Sequence, residues 1–363
     1  MRTFLTDFQI YLPPFKAEQD DTINWLKELH QKRDPAKAER IEKFIKKFGV
    51  DAEKIGTRRS FIADFEKRNF NDHQVFSVEN NFNPDLSQRS QVAQLAFEQA
   101  FEDLYLDDSN SAKNILHVSC THYESPSAAQ KSVLNRNSNS VVTHLYHMGC
   151  YAALPAIRTA NALANQGRVD IVHTEICSIH LNCESYSPEQ LVVQSLFADG
   201  AIKYQCLYEN EFLGHDKKGL EILSLHEILV PNTQEDMTWK LHSDRFDMTL
   251  SKNVPKYLAE YLDSFMKKLF AKANLNYQDE KEKAIFAIHP GGPKIIELSQ
   301  ELLSLRDDQV QYSKDVLYKR GNMSSATLPH IWKNILENEN DKLVATVAFG
   351  PGLTMTGALL KIC

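Results

Sequence analysis

MGCYAALPAI, residues 148–157, sets a cysteine directly after a glycine and directly before an alanine-rich stretch that runs on helical spacing to Asn165. The spacing predicts a tight strand-to-helix turn at Cys150, with the N-terminus of the helix directed at the thiol. Backbone N–H groups and the helix dipole stabilise an anion in such a place, so the turn is expected to draw the thiol pKa from about 8.5 toward neutrality. Gly149 supplies a conformation that a side chain would oppose. Pro155 falls within the first turns of the helix, which it tightens or kinks.

Strand and helix alternate outward from this turn. NILHVSC (114–120) and VDIVHTEI (169–176) are β-type runs, and 188–197 reads as a second helix. The pattern returns with a long helix over 255–272, the strand AIFAIHP (284–290), helices starting at Lys294 and Ser324, and closing strands over 342–349 and 354–362. Two α/β halves are the economical architecture, alike in build without a fixed short sequence repeat. Their join is expected near Gly214, in the polar, glycine-bearing stretch 210–219, which divides the chain into 1–214 with the cysteine and 215–363. The first 110 residues carry Lys, Glu and Asp on helical spacing, with amphipathic helices predicted over 19–31 and 36–48; they are expected to decorate a core rather than form one.

Composition narrows the function classes. At 363 residues with 42% apolar content, the chain exceeds the usual size of a single core. A formal charge of −7 and dispersed charged residues argue against nucleic acid or a membrane surface as partner. The six cysteines form no CxxC pair, the opening MRTFLTDFQIYLPPF lacks the apolar core of a signal peptide, and no apolar run approaches the roughly 20 residues of a spanning helix. A cytoplasmic protein with reduced thiols is the expectation. His122, His144, His147, His173 and His180 show no HxH or HExxH spacing, so no metal is expected, and without a GxGxxG no dinucleotide cofactor is implied.

Two further strings carry chemistry. In IHPGGPKII (288–296), His289 ends a short apolar run and is followed by Pro-Gly-Gly-Pro, which holds its ring at the mouth of a rigid turn. In GNMSSATLP (321–329), Asn322 follows a glycine and precedes two serines suited to capping a helix. A thiol, an imidazole and an amide can together accept an acyl group and stabilise an enolate or oxyanion.

These strings, with QLVVQSLFADGA (190–201) and AFGPGLT (348–354), resemble in the same order the type III polyketide synthases, the chalcone synthase-like family, over most of the chain. The resemblance implies a thiolase-like, five-layered αβαβα fold with two duplicated halves, and a homodimer. It implies that an acyl thioester loads Cys150, and that malonyl-CoA loses carbon dioxide under His289 and Asn322. Acyl-CoA and malonyl-CoA are then substrates, an acyl carrier protein is an alternative donor, and no further cofactor is needed. By the same likeness Phe197 is the aromatic gatekeeper, Met248 takes the place of a second one, and Ser324 belongs to the pocket. Trp239 falls where plant enzymes often have Gly, and Cys177, Ile179 and His180 replace smaller or hydroxyl-bearing residues, so the pocket is expected to be short or redirected, closed to a bulky coumaroyl starter. His180 is equally readable as an added acid or base and as a space-filler, and Trp239 as a wall or a core residue. Ser125 stands where plant enzymes usually offer a Met that reaches into the partner's cavity, a space Ser125 cannot fill, and the likeness as a whole is to the bacterial type. Lys46, Lys47 and Arg58 belong to a basic stretch in the part of the chain that holds coenzyme A in this family. A ketosynthase III or an acyltransferring relative shares Cys, His and Asn but shows HQAN and FGGG where this chain has HPGG and FGPG; a silent thiolase-like scaffold typically loses one of the three residues.

Overall fold

A computed structural model describes residues 2–108, 111–214 and 217–363. Its strands are β1 (Thr3–Tyr11), β2 (Phe15–Glu18), β3 (Thr57–Ser60), β4 (Asn114–Ser119), β5 (Val141–Tyr146), β6 (Val169–Ile176), β7 (Asp199–Tyr208), β8 (Leu220–Leu229), β9 (Met237–Leu241), β10 (Phe246–Leu250), β11 (Ile285–Ile288), β12 (Leu343–Gly350) and β13 (Thr354–Ile362). Nine of them form one mixed sheet in the order β11-β12-β13-β8-β1-β7-β6-β4-β5, while β2-β3 and β9-β10 are separate hairpins.

The nine-stranded sheet is two copies of one motif. On one side β4 and β6 run parallel, β7 is antiparallel to β6, and β1 is antiparallel to β7. On the other side β11 and β12 run parallel, β13 is antiparallel to β12, and β8 is antiparallel to β13. The copies meet where Phe4 and Leu5 of β1 pair with Glu221 and Leu220 of β8. The helices Ala153–Leu163 and Thr327–Asn338 lie between the two half-sheets, each touching strands of both. Leu86–Leu104 packs outside one half, and Val254–Ala271 and Asp307–Arg320 outside the other. Three apolar cores separate these layers: a central one around Ile157, Ile202 and Trp332, and outer ones around Phe97 and Phe265. This is the five-layered, duplicated thiolase-like α/β fold.

The first 110 residues do more than decorate. β1 is a central strand, and Trp25, Phe70, Phe76, Phe97 and Phe101 build the outer core against β4 and β6. Thr6, Asp7 and Gln9 break the apolar pattern of β1, where its register against β7 shifts and Asp7 takes a positive φ of 56°. The expected join near Gly214 falls in the connection from β7 to β8, and the boundary at residue 215 lies outside the described residues. Among the described residues no helix is long and apolar enough to cross a membrane, and no cluster of His, Cys, Asp and Glu has metal-holding geometry.

Candidate active site

The carboxyl ends of the parallel strands in both half-sheets converge, which is where open α/β sheets place their ligands. Cys120 follows β4, Cys150 lies past β5, Cys177 follows β6, His289 follows β11, and Pro351 follows β12. The turn that carries Cys150 is fixed from below and above. Gly149 adopts φ +87°, and a Cβ there would meet Pro351 Cδ at 2.7 Å, so only glycine fits. The Gly149 N–H donates to Cys120 Sγ at 3.0 Å, and that thiol donates to Gly149 O at 3.1 Å. Pro155 is the third residue of the helix that starts at Ala153, within the first turn, where no intrahelical N–H bond is lost.

Asn322 is held by its backbone. Its N–H donates to Leu196 O at 3.0 Å and its carbonyl accepts from Ala198 N at 2.8 Å, bridging it to Phe197. Its side-chain Oδ1 accepts from Ser324 N at 2.9 Å and from Thr327 Oγ1 at 3.3 Å. The asparagine itself therefore serves the turn, in place of the expected serine caps: an Asn oxygen two residues upstream reaches the N–H, and neither serine side chain does. That use of Oδ1 leaves Nδ2 fully buried without a hydrogen-bond partner.

His289 is anchored by its N–H to Val347 O at 2.9 Å and is 1% exposed. Neither ring nitrogen has a partner, and burial pulls the imidazole down to about 3. Cys150 is partly exposed. Burial dominates its pKa and pushes the thiol up to about 12, against downward pulls from the Ser324 and Asn322 side chains. Burial thus works against the expected drift toward neutrality. Resting thiol and resting imidazole are both neutral.

Cys150 opens into a cavity. Phe197, Ser324, Cys177, His180, Trp239 and Met248 all line it; His289 and Asn322 are buried and do not, Asn322 lying next to the lining residues Phe197 and Ser324. Trp239 and Met248 are paired directly across the β9-β10 hairpin, which roofs the cavity. The Trp239 indole donates to Cys120 O at 2.7 Å, and His147 bonds the Trp239 carbonyl at 2.9 Å, so the indole is a fixed wall. Of the two readings of His180, the structure favours the filler: one ring nitrogen bonds Thr121 O, the other accepts from Phe246 N at 3.1 Å, and burial holds it near 3.

The basic positions separate. Lys46 and Lys47 are exposed in the last turn of the helix Ala38–Phe48, which packs on the cavity-walling helix Pro188–Leu196. Arg58 is turned inward: its Nη1 donates to Gln194 O at 2.9 Å and to Phe197 O at 2.8 Å, clamping the backbone at Phe197, while Nε and Nη2 are buried without partners. Burial lowers its pKa to about 10.

One participant was missed in the sequence. Glu175, at the end of β6, accepts from Cys120 N at 3.0 Å, Thr121 Oγ1 at 2.8 Å and Ser325 N at 3.3 Å, and also from the Ser325 hydroxyl. Burial raises it to about 7. The available signal was a second acid, after Asp170, in the β-type run VDIVHTEI.

The duplicated sheet and the cavity at its strand ends define a thiolase-fold protein. Residues 221–363 match the C-terminal domain of chalcone and stilbene synthases. The chain is 28% identical over 306 residues to Probable polyketide synthase 1 of Dictyostelium discoideum (79% of this chain, 9% of that protein). It is 28% identical over 267 residues to Type III polyketide synthase A of Arabidopsis thaliana (68% and 65%). To Type III polyketide synthase pspB of Penicillium soppii it is 23% identical over 369 residues (90% and 92%). It thus spans less than two thirds of the length of the first two relatives. Among solved structures, the C-terminal type III polyketide synthase domain of Steely1, a type I/III hybrid from Dictyostelium, superposes with a TM-score of 0.82 at 22% identity over 99% of both chains. The chain is homologous to the type III polyketide synthases.

Proposed function

We propose that the chain is a type III polyketide synthase-like condensing enzyme. The observation that carries the reading is the buried, unpartnered Asn322 Nδ2, set next to Phe197 and Ser324 of the cavity into which Cys150 opens, together with His289, whose two ring nitrogens are likewise buried without partners. Each such group costs about 1–3 kcal/mol when left unpaired, a cost that a substrate oxygen would relieve.

In this reading Cys150 gives its proton to His289 and attacks an acyl thioester, and the departing thiol takes that proton away. Making the thiolate and the imidazolium together offsets the penalty that burial sets on either charge alone. A malonyl thioester then loses carbon dioxide. Its enolate oxygen is stabilised by the Asn322 amide and the imidazole N–H, the enolate carbon attacks the acyl group on Cys150, and the thiolate is released. Acyl-CoA and malonyl-CoA are the proposed substrates, with Lys46 and Lys47 near the entry of the thioester and an acyl carrier protein as an alternative donor. A homodimer is proposed through β5, which ends the sheet with Val141 exposed. Six free cysteines suit a reducing cytoplasm.

The test is intact-mass analysis after incubation with a panel of acyl-CoA thioesters, with and without malonyl-CoA. The wild-type chain should gain an acyl mass that Cys150→Ala does not, and malonyl-CoA should yield extended products. Absence of acylation by every thioester, with malonyl-CoA intact, would overturn the reading.

A further inference from the structure

Four fully buried side chains, Glu175, Ser325, His173 and Tyr204, form one hydrogen-bonded chain. The Ser325 hydroxyl meets the Glu175 carboxylate, Ser325 Oγ lies 3.0 Å from His173 Nδ1, and His173 Nε2 lies 3.1 Å from Tyr204 Oη. Glu175 and His173 are two apart on β6 and share one face of the sheet, Tyr204 comes from the neighbouring strand β7, and Ser325 comes from the loop after Asn322. At its near end the chain reaches the turn of Cys150. Glu175 accepts from Cys120 N at 3.0 Å, and the Cys120 thiol bonds both the N–H and the carbonyl of Gly149.

A serine hydroxyl has one proton to give, and that count sets the direction of every bond in the chain. With Glu175 ionised, Ser325 donates to it, so His173 carries its proton on Nδ1 and donates to Ser325 Oγ, and Nε2 accepts from Tyr204. With Glu175 protonated, the carboxyl needs an acceptor. Cys120 N and Ser325 N only donate, and Thr121 Oγ1 already accepts from Ile176 N at 2.9 Å. Ser325 Oγ is the acceptor left. It takes the carboxyl proton and turns its own hydroxyl to Nδ1, and the imidazole then donates from Nε2 to Tyr204 Oη. Counted over the chain, Tyr204 passes its proton to Nε2, Nδ1 to Ser325 and Ser325 to Glu175, while one proton from solvent restores the phenol. The imidazole is neutral in both states, as burial that holds it near 3 requires.

The groups that face this chain carry no fixed charge. They are Cys120 and His117 from β4 and its end, Cys150 and Cys177 from the adjoining turns, and His330 from the helix Thr327–Asn338, with burial keeping each one neutral. Asp170 and Lys203 are charged but lie on the opposite face of β6 and β7.

We infer that His173 is a positioning residue: with Ser325 and Tyr204 it forms a tautomer relay that lets Glu175 gain or lose a proton while every bond next to the Cys150 turn stays made. The one hydroxyl left without an acceptor in the protonated state is then Tyr204's, at the far end of the chain. This inference goes beyond the condensing reading and does not rest on it.

Nuclear magnetic resonance of protein with nitrogen-labelled histidine tests it, because bare and protonated ring nitrogens resonate far apart. The signals of His173 are those that vanish in His173→Phe. From about pH 5.5 to 8.5 the wild-type ring should pass from the Nε2–H form to the Nδ1–H form, with a midpoint that matches the titration of Glu175. In Glu175→Gln and in Ser325→Ala the tautomer should no longer follow pH, and a thermal melt checks that both variants are folded. A single tautomer throughout the wild-type titration would overturn the relay by itself, whatever the variants do. A tautomer exchange that persists unchanged in either variant would overturn it as well. No thioester is added, so the outcome is separate from that of the acylation test.

Discussion

Replacing Glu175 by glutamine tests the electrostatics beneath Cys150. The carboxyl has an ordinary value of 4.5 and is raised to about 7 in the fold, chiefly by burial, with its hydrogen bonds pulling the other way. At about 1.4 kcal/mol per pH unit, that gap corresponds to about 3 kcal/mol. Between the two values the folded chain holds about one proton more than the unfolded chain. Stability from this group is therefore complete below pH 4.5 and is lost as pH rises through 7. From pH 6 to pH 8 the loss comes to roughly 1 kcal/mol. Glutamine cannot titrate, so Glu175→Gln should lack this slope, even though its NH₂ faces donors and lowers stability at every pH. Buried histidines such as His173 and His289, both near 3, contribute a slope of opposite sign below pH 6.5, and they do so equally in both proteins. The difference between the two curves thus isolates Glu175. Urea unfolding at a series of pH values from 5.5 to 8.5 measures it. Parallel curves for wild type and Glu175→Gln would refute the reasoning, because they would mean that Glu175 is already ionised at neutral pH and that its donors fully offset burial.

Three further outcomes follow from the same geometry. Gly149→Ala forces a side chain into φ +87° and against Pro351, which should cost about 1–3 kcal/mol in a thermal melt and lower the rate of Cys150 acylation; an unchanged melt would contradict the fit. Asp199→Ala strands four donors, Ser178 N at 2.9 Å, Ser178 Oγ at 2.6 Å, Phe61 N at 2.9 Å and Ser60 Oγ at 3.0 Å, so a loss of about 3–5 kcal/mol is expected in chemical denaturation, and a loss under 1 kcal/mol would argue that water replaces the carboxylate. Trp239→Ala removes a fixed wall and should shift acylation in a mass-spectrometric thioester panel toward longer or bulkier groups; an unaltered preference would place the limiting wall elsewhere.

Where a segment was buried along nearly its whole length, the chain could be read almost residue for residue: β6 and β13 have the predicted limits. β1 was hidden because Thr6, Asp7 and Gln9 interrupt it, and a strand flanked on each side by chain from distant positions leaves no local trace of its centrality. The fold class was legible through motif order, since turn-forming glycines and prolines mark where strands end. Cys150, His289 and Asn322 stood out by residue type for the same reason. Their electrostatic state did not. The helix N-terminus at Cys150 is written locally, whereas the burial that raises its thiol and lowers His289 comes from packing between two half-sheets that are far apart in sequence. His173 and Ser325 are 152 positions apart, so only the fold brings them face to face.

On the condensing reading proposed above, the bridge between Phe197 and Asn322 ties selectivity to chemistry through one peptide ladder. A side chain at 197 can be exchanged to suit a different acyl group without disturbing the amide, because the tie is made by backbone atoms alone. A change that moves the backbone there cannot be so confined, since Asn322 shifts with it. Under that reading, substrate range is open to stepwise change by point substitution, whereas insertions and deletions around residue 197 would alter range and rate together.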